Sequence, residues 1–194
     1  MEADAYLRLR QQFSHYSALA DGSWEVLRKL FTPMAITKKN LFAIEGQKAE
    51  KFGWVSSGYL RMYNLVETGK ELTKHFMGPG DFFVGAINYN EVNSVSIQAL
   101  ANCELLVADF KAIDMLAQQN QIVGRFKNNL LSSYVQMKQS RENRYLNLEA
   151  RERYLLFLRD YPGLLNEIPH HYIASYLGIS ATQLSRVRKK MAQC

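Results

Sequence analysis

The stretch from Ile168 to Met191 reads IPHHYIASYLGISATQLSRVRKKM and has the spacing of a helix-turn-helix. Gly178 stands where a tight turn between two short helices needs a residue with positive φ. A small residue, Ala174, lies four positions earlier, where the two helices would cross closely. Apolar residues occupy the inward positions of both helices: Ile173, Leu177, Ile179, Leu184 and Val187. We therefore predict a packed helix pair over this stretch.

The second helix of the pair has its own start signal and a polar outer face. Ser180 can cap it, and Gln183 can reach back to complete a capping box. The face opposite the apolar stripe resembles that of a helix lying in a DNA major groove, with Arg186 suited to guanine and the following basic residues suited to phosphates. The predicted DNA-binding residues are Ser180, Ala181, Thr182, Gln183, Ser185, Arg186, Arg188, Lys189 and Lys190.

Charge is concentrated in the same region. The chain has 24 Lys and Arg against 18 Asp and Glu, a net charge of +6, and residues 138–194 hold 10 of the basic and 5 of the acidic residues. No acidic residue follows Glu167. A one-sided basic helix pair is typical of a phosphate-binding surface.

Two other interpretations of the helix pair stay open. It can be an ordinary surface hairpin whose basic face is only solvated. It can also bind a protein partner within a ligand-sensing or interaction module. Retention on DNA that depends on salt would separate the second alternative from DNA binding.

Composition indicates a globular protein of one or two domains. The chain has 194 residues, of which 47% are hydrophobic and 22% charged. No apolar run is long enough to cross a membrane, and the N-terminus has acidic residues and no apolar core of a signal peptide, so we expect a cytoplasmic protein without a membrane partner. Cys103 and Cys194 form neither a disulfide framework nor a ligand set, and we expect no metal and no cofactor.

The rest of the chain changes from helical to β-rich and back. Residues 6–31 have a helical apolar pattern interrupted at Asp21-Gly22, which predicts two small helices. Residues 34–110 contain short β-rich runs separated by glycine turns, which predict a small barrel or jelly roll. The predicted strands are residues 41–44, 52–56, 59–65, 71–76 and 95–107, the last broken near Asn102.

The C-terminal part is predicted to be helical throughout. Asp109 can cap a short helix through Ala117. A long helix ending near Asn147 then carries one apolar stripe, formed by Ile122, Phe126, Leu130, Tyr134 and Met137. Val123 and Leu131 widen this stripe, so it can meet its own barrel and the same helix of a second subunit, or pack only within its own chain. A further helix covers residues 150–160, and we expect a hinge near residues 146–149.

This order of parts resembles the Crp/Fnr family, the cyclic-AMP receptor protein and its relatives, over nearly the whole chain. The most specific match is residues 173–180, IASYLGIS, followed by residues 184–189, LSRVRK. Gly80-Asp81-Phe82 also matches the turn that precedes the family's ligand loop. The resemblance implies an α+β protein with an N-terminal β-roll, a long dimerisation helix and a C-terminal helix-turn-helix.

The implied domains and partners follow from the same resemblance. We expect a cyclic-nucleotide-binding-like β-roll at residues 1–115, the long dimerisation helix at 116–147 and a helix-turn-helix DNA-binding domain at 148–194. The implied function is that of a homodimeric regulator of transcription that binds double-stranded DNA. RNA polymerase and an unidentified small-molecule effector are further candidate partners.

The β-roll departs from the pattern of the members that bind cyclic nucleotides. In those members a Gly-Glu pair holds the ribose, and an Arg-Ser or Arg-Thr pair holds the phosphate. Here the first pair becomes Gly85-Ala86 and the second falls near Asn93-Ser94, with no arginine between Arg61 and Arg125. A cyclic phosphate buried without a cation would be costly, so we expect no binding of cyclic AMP in the usual way.

A pocket for another small ligand stays an open prediction in the same region. Its candidate residues are Phe83, Val84, Gly85, Ala86, Ile87, Asn93 and Ser94. The alternative is that these residues only fill the barrel.

An enzyme is not expected. His170 and His171 are adjacent and point in different directions on a helix, so they form a poor metal pair. The sequence contains no nucleophile elbow, P-loop or dinucleotide-binding fingerprint.

Overall fold

The computed structural model describes residues 2–18 and 21–191, which form eight helices and eight strands. Leu19 of the first apolar pattern and Cys194 lie outside the described residues. The helices are α1 (Glu2–Tyr16), α2 (Asp21–Arg28), α3 (Phe110–Gln119), α4 (Gln121–Asn147), α5 (Ala150–Asp160), α6 (Leu164–Glu167), α7 (His170–Leu177) and α8 (Ala181–Met191). The strands are β1 (Thr32–Ile36), β2 (Leu41–Ala43), β3 (Lys51–Ser57), β4 (Leu60–Leu65), β5 (Glu71–Met77), β6 (Phe82–Phe83), β7 (Ser96–Ala99) and β8 (Cys103–Asp109).

The chain divides into two compact units. The first comprises Met1–Met62 and Phe76–Ser133, and the second comprises Tyr63–His75 and Tyr134–Cys194. The outer part of the β4–β5 hairpin therefore belongs with the C-terminal helices. None of the helices in the described ranges is long and apolar enough to cross a membrane.

Two four-stranded sheets form the β-roll. One has the strand order β1-β8-β3-β6 and the other β2-β7-β4-β5. β8 pairs antiparallel with both β1 and β3, so that Leu106 lies opposite Pro33 on one side and Trp54 on the other. β1 is an edge strand, where a proline such as Pro33 is tolerated because one row of backbone groups has no partner.

Alternating side chains of β8 enter two hydrophobic clusters. Leu105 and Val107 face a cluster within the roll, whereas Leu106 and Ala108 face a second cluster formed with the helices. Because side chains of a strand alternate between the faces of its sheet, a strand covered on both sides is apolar at almost every position. This arrangement explains why residues 105–108 are all apolar and do not alternate with polar residues.

The second cluster is rich in phenylalanine and fixes the helices of the first unit on the sheet. The ring of Phe13 in α1 lies 4.0 Å from that of Phe126 in α4 and 4.8 Å from that of Phe82. Phe126 is buried and belongs to the predicted stripe of the long helix. The N-terminal part of α4 therefore packs within its own unit.

Several sequence predictions agree with these elements. The two N-terminal helices, the helix over residues 150–160 and the long helix to Asn147 are confirmed, and the strand predicted over residues 95–107 is broken into β7 and β8. The carboxylate of Asp109 caps α3 by accepting from the Ala112 amide at 2.7 Å, and α3 continues two residues beyond Ala117.

Other elements differ from the predictions. β1, β6 and the four-residue α6 were not predicted. Arg61 of β4 is completely buried, although arginine side chains are mostly exposed. Its Nε and Nη2 donate to Gln98 Oε1 at 2.9 and 2.7 Å, and this pairing with a side chain of β7 permits the burial.

Candidate nucleic-acid interface

The turn between α7 and α8 is closed by a glycine in the left-handed region. Gly178 has φ of 67°, and the Ile179 amide donates to the Ala174 carbonyl at 3.0 Å across the turn. A Cβ at this position would lie 2.6 Å from the ring of Tyr145. Both the backbone conformation and the close approach of Tyr145 therefore require glycine here.

The predicted capping box at the start of α8 is present. The Gln183 amide donates to Ser180 Oγ at 3.1 Å, and the Ser180 amide donates to Gln183 Oε1 at 2.9 Å. These two bonds fix the first turn of α8. Ser180 Oγ and Gln183 Oε1 thus act as acceptors within the capping box, whereas the hydroxyl proton of Ser180 and the side-chain NH2 of Gln183 can still donate to DNA.

The apolar stripe and the polar face of α8 lie on the expected sides. Leu184 is buried, together with Ile173, Ala174 and Leu177 of α7. Most of the predicted DNA-binding residues are exposed: Ser180, Ala181, Thr182, Gln183, Ser185, Arg186, Lys189 and Lys190. A continuous polar surface with three basic side chains therefore faces outward from α8.

Arg188 differs from its basic neighbours because it contacts the first residue of α7. Its Nη1 lies 2.8 Å from Nδ1 and 2.9 Å from Nε2 of His170. Burial, and then the positive charge of Arg188, lower the pKa of His170 below its ordinary value. Arg188 therefore links the ends of the helix pair, a role that its position in a basic run did not indicate.

Ser175 of α7 is bonded to the β4–β5 hairpin of the same unit. Its Oγ accepts from the Thr73 amide at 2.9 Å and donates to the Glu71 carbonyl at 3.0 Å. Thr73 is fully buried. The first helix of the pair is thereby held against β5, and sequence analysis did not identify Ser175 because its partners are about a hundred residues away.

Arg141 of α4 strengthens the same contact. Its Nη2 donates to the carbonyl of Thr73 at 2.9 Å, to that of Tyr176 at 3.2 Å and to the Tyr145 hydroxyl at 2.9 Å. Its guanidinium also lies 4.7 Å from the ring centre of Tyr176. One side chain thus joins the hairpin, the long helix and α7.

A histidine completes the hairpin contact. His75 Nδ1 lies 3.0 Å from the Tyr161 hydroxyl, which can donate to it when the ring is neutral. Burial, and then the charge of Arg141, lower the pKa of His75 from its ordinary 6.5 to about 4. The ring is therefore neutral at physiological pH, and its Nδ1 can accept a hydrogen bond from the Tyr161 hydroxyl.

The predicted ligand segment lies in the first unit and is internally bonded. Phe83, Gly85, Ala86 and Asn93 are buried, whereas Ile87 and Ser94 are exposed and Val84 is partly buried. The Asn93 amide group donates to the carbonyls of Ile44 and Lys48 at 3.2 and 3.4 Å, and its Oδ1 would lie 2.1 Å from a Cβ added at Gly85. Asn93 therefore fills the space beside Gly85 and uses its donors within the roll.

Cys103 is the one cysteine among the described residues. Cys103 is buried, and burial raises the pKa of its thiol. Within residues 2–18 and 21–191, no three His, Cys, Asp or Glu side chains lie close enough to hold a metal ion.

Comparison with known proteins identifies the class of fold. Residues 35–120 match the family model of the cyclic nucleotide-binding domain. No curated protein matches the sequence.

Solved structures extend this match over most of the chain. FixK2 from Bradyrhizobium japonicum is 18% identical, with a TM-score of 0.75 over 84% of this chain and 85% of that one. A transcriptional regulator of the Crp/Fnr family from Eubacterium rectale is 16% identical, with a TM-score of 0.70 over 90% and 84%. The c-di-GMP-responsive global regulator CLP of Xanthomonas campestris is 18% identical, with a TM-score of 0.67 over 90% and 92%.

Residues 35–120 are therefore similar to the cyclic nucleotide-binding domain, and the chain has the fold of the solved Crp/Fnr regulators. The predicted fold class and the resemblance to this family are confirmed.

Proposed function

We propose that this protein is a sequence-specific DNA-binding regulator of transcription that acts as a homodimer. The observation that carries the proposal is the exposed face of α8, where Arg186, Lys189 and Lys190 project from a helix that a capping box and a buried Leu184 hold in place. A recognition helix needs such a face because base edges are read by side chains that reach into the major groove.

Individual side chains have separate roles in this proposal. Arg186 can donate two hydrogen bonds to the edge of a guanine. Lys189 and Lys190, at the C-terminal end of α8, contact phosphates and contribute affinity that does not depend on sequence. Thr182 and Ser185 are exposed on the same helix and contribute to the choice of base.

The long helix supports association of two chains. Leu131 and Val135 of α4 are exposed, at 37% and 44%. These apolar side chains lie one helical turn apart, as they would on a face that packs against the same helix of a second chain. A twofold pair would present its recognition helices about 34 Å apart, to successive major grooves.

The β-roll is proposed as a sensor that does not use cyclic AMP in the usual way. The regulator CLP, which has the same fold, is described as responsive to c-di-GMP, so this fold accommodates other effectors. Asn93 and Ser94 stand in the region where the cyclic-AMP-binding members of the family place a phosphate-binding arginine.

Selection of bound sequences from a random DNA pool tests the proposal. The pure protein without added ligand is used at near-physiological salt, and an enriched palindrome is the expected result. Salt-sensitive binding without enrichment would call for the same selection with cell extract added. If the extract also gave no enrichment, sequence-specific DNA binding would be excluded and the helix pair would serve a protein partner.

A further inference from the structure

Two basic side chains of the helix pair lie in direct contact. His170 is the first residue of α7, and Arg188 belongs to the last turn of α8. Nη1 of Arg188 lies 2.8 and 2.9 Å from the two ring nitrogens of His170. Arginine only donates hydrogen bonds, and a protonated imidazole has two donors and no acceptor. The contact therefore requires the neutral form of the His170 ring, which has one nitrogen that can accept.

No carboxylate of the described residues balances the charge at this contact. Within residues 2–18 and 21–191, no salt bridge includes His170 or Arg188. The acidic residue nearest in sequence, Glu167 of α6, is exposed, and Asp160 of α5 pairs with Arg144. No acidic residue follows Glu167. An anion from outside the chain would therefore meet two unopposed basic groups here.

Arg188 is also the charged group that acts on His170. Burial, and then the positive charge of Arg188, lower the pKa of His170 below its ordinary value. The basic residues that pack near α7 from the long helix and from β5 lie elsewhere, since Arg141 donates to a carbonyl in the last turn of α7 and His75 contacts Tyr161. The free protein therefore holds His170 neutral at physiological pH.

The place of the pair on the helix-turn-helix decides which anion it meets. In this motif the second helix lies in the major groove, and the first helix crosses the sugar-phosphate backbone. His170 is exposed at the start of the first helix, and Arg188 reaches it from the second. Phosphate oxygens of bound DNA would therefore lie within reach of both side chains.

We infer that His170 takes up a proton from solvent when the helix pair binds DNA, and that His170 and Arg188 then hold one backbone phosphate together. This inference rests on the proposed DNA-binding function. The phosphate supplies the acceptor oxygens, so Arg188 no longer needs a ring nitrogen as its acceptor, and both side chains donate to the same anion. The negative charge of the phosphate favours the protonated ring.

DNA affinity should consequently depend on pH. The DNA-bound protein carries one more proton in each subunit than the free protein does, so affinity increases as the pH falls through the range in which His170 titrates. The change is at most about tenfold for each pH unit and subunit. His75 stays neutral across this range because its pKa is about 4.

Fluorescence anisotropy of the full chain with a random-sequence DNA duplex tests the inference, because a phosphate contact does not depend on sequence. At constant ionic strength, the dissociation constant of the unmutated protein should increase about three- to tenfold from about pH 6 to about pH 8. In His170→Gln the glutamine oxygen can still accept from Arg188, but nothing titrates, so this increase should disappear. His171→Gln, at the exposed neighbouring position, is the matched control and should keep it.

Calorimetry of the unmutated protein gives a second readout that needs no variant. The binding enthalpies in two buffers with different ionisation enthalpies should show uptake of close to one proton per subunit. Binding without proton uptake, or an equal pH dependence in His170→Gln and the unmutated protein, would overturn the inference and leave the proposed function standing. Absence of binding to any duplex would overturn both.

Discussion

Ser175 Oγ lies 2.9 Å from the backbone nitrogen of Thr73 and accepts its hydrogen bond, although the two residues are 102 positions apart in the sequence. The same hydroxyl donates to the Glu71 carbonyl at 3.0 Å. One side chain of the helix pair thus satisfies both a donor and an acceptor of the hairpin, and the buried Thr73 amide depends on it.

Ser175→Ala should lower the free energy of unfolding by about 1–3 kcal/mol, because it leaves the buried Thr73 amide without an acceptor. Urea unfolding followed by circular dichroism measures the loss. Ser140→Ala, an exposed serine of α4, is the matched control and should change stability by less than about 0.5 kcal/mol. Equal values for the two variants would show that the hairpin bond does not stabilise α7.

Gly178→Ala should destabilise the protein more than Gly69→Ala does. Both glycines have positive φ, 67° and 74°, so each alanine is strained by about 1–2 kcal/mol. Only Gly178 adds a clash, because its Cβ would lie 2.6 Å from the Tyr145 ring, whereas nothing lies within 4 Å of a Cβ at Gly69. The difference in urea midpoints between the variants measures the clash, and equal losses would mean that Tyr145 moves away without cost.

Arg186→Ala should weaken binding to the selected palindrome by about 1–3 kcal/mol and relax the base preference at one position. Lys190→Ala should weaken binding to specific and random DNA alike and should reduce the salt dependence. Fluorescence anisotropy with both kinds of DNA at two salt concentrations separates these effects. Equal losses on specific and random DNA for Arg186→Ala would remove this residue from base reading.

Stability should fall as the pH is lowered from about 6.5 to about 4, with His75 as a main cause. The pKa of His75 is about 4 in the folded chain and 6.5 in its ordinary state, so in this window the unfolded chain binds a proton that the folded chain does not. The free energy of unfolding should fall by at most about 3 kcal/mol across this window. The actual loss should be smaller than this limit, because the ring is partly exposed and solvent screens its charge.

His75→Gln removes the titrating ring and should flatten urea midpoints measured from pH 7 to pH 4. His171→Gln, at an exposed position of α7, should retain the slope. An unchanged slope in His75→Gln would assign the pH dependence to other groups.

Titration of the pure protein with cyclic AMP should show no micromolar binding in the β-roll. The reason is that residues 62–124 contain no arginine to pair with the phosphate, and the Asn93 amide is already bonded to Ile44 and Lys48. Calorimetry makes the measurement, with Ser94→Ala as the companion variant. Micromolar binding that Ser94→Ala weakens would contradict this prediction.

Local signals accounted for most of the helices. The capping residues Asp109 and Ser180 mark helix starts through contacts within a few residues, and α5 begins and ends where the pattern predicted. The polar face of α8 followed from the same local spacing. The roles of its residues in DNA binding and those of the β-roll segment in ligand binding stay predictions.

The features that the sequence patterns did not predict depend on contacts between residues far apart in the chain. β1 contains Pro33, and β6 has two residues, so neither carries a strand pattern of its own; both exist because β8 and β3 offer them hydrogen bonds. The burial of Arg61 likewise depends on Gln98, a residue of another strand. No signal within a short window could have indicated these pairings.

The sequence by itself determined most of the helices, the helix pair with its glycine turn and capping box, and the basic outer face of α8, because each depends on residues within one or two helical turns. Only the tertiary structure decided that Ser175, Arg141 and His75 join the hairpin to the helices, and that the guanidinium groups of Arg141 and Arg153 lie 5.0 and 5.1 Å from the centre of the same Tyr145 ring. Those relationships depend on which distant backbone groups and charges meet, and chain folding, not local spacing, sets those distances.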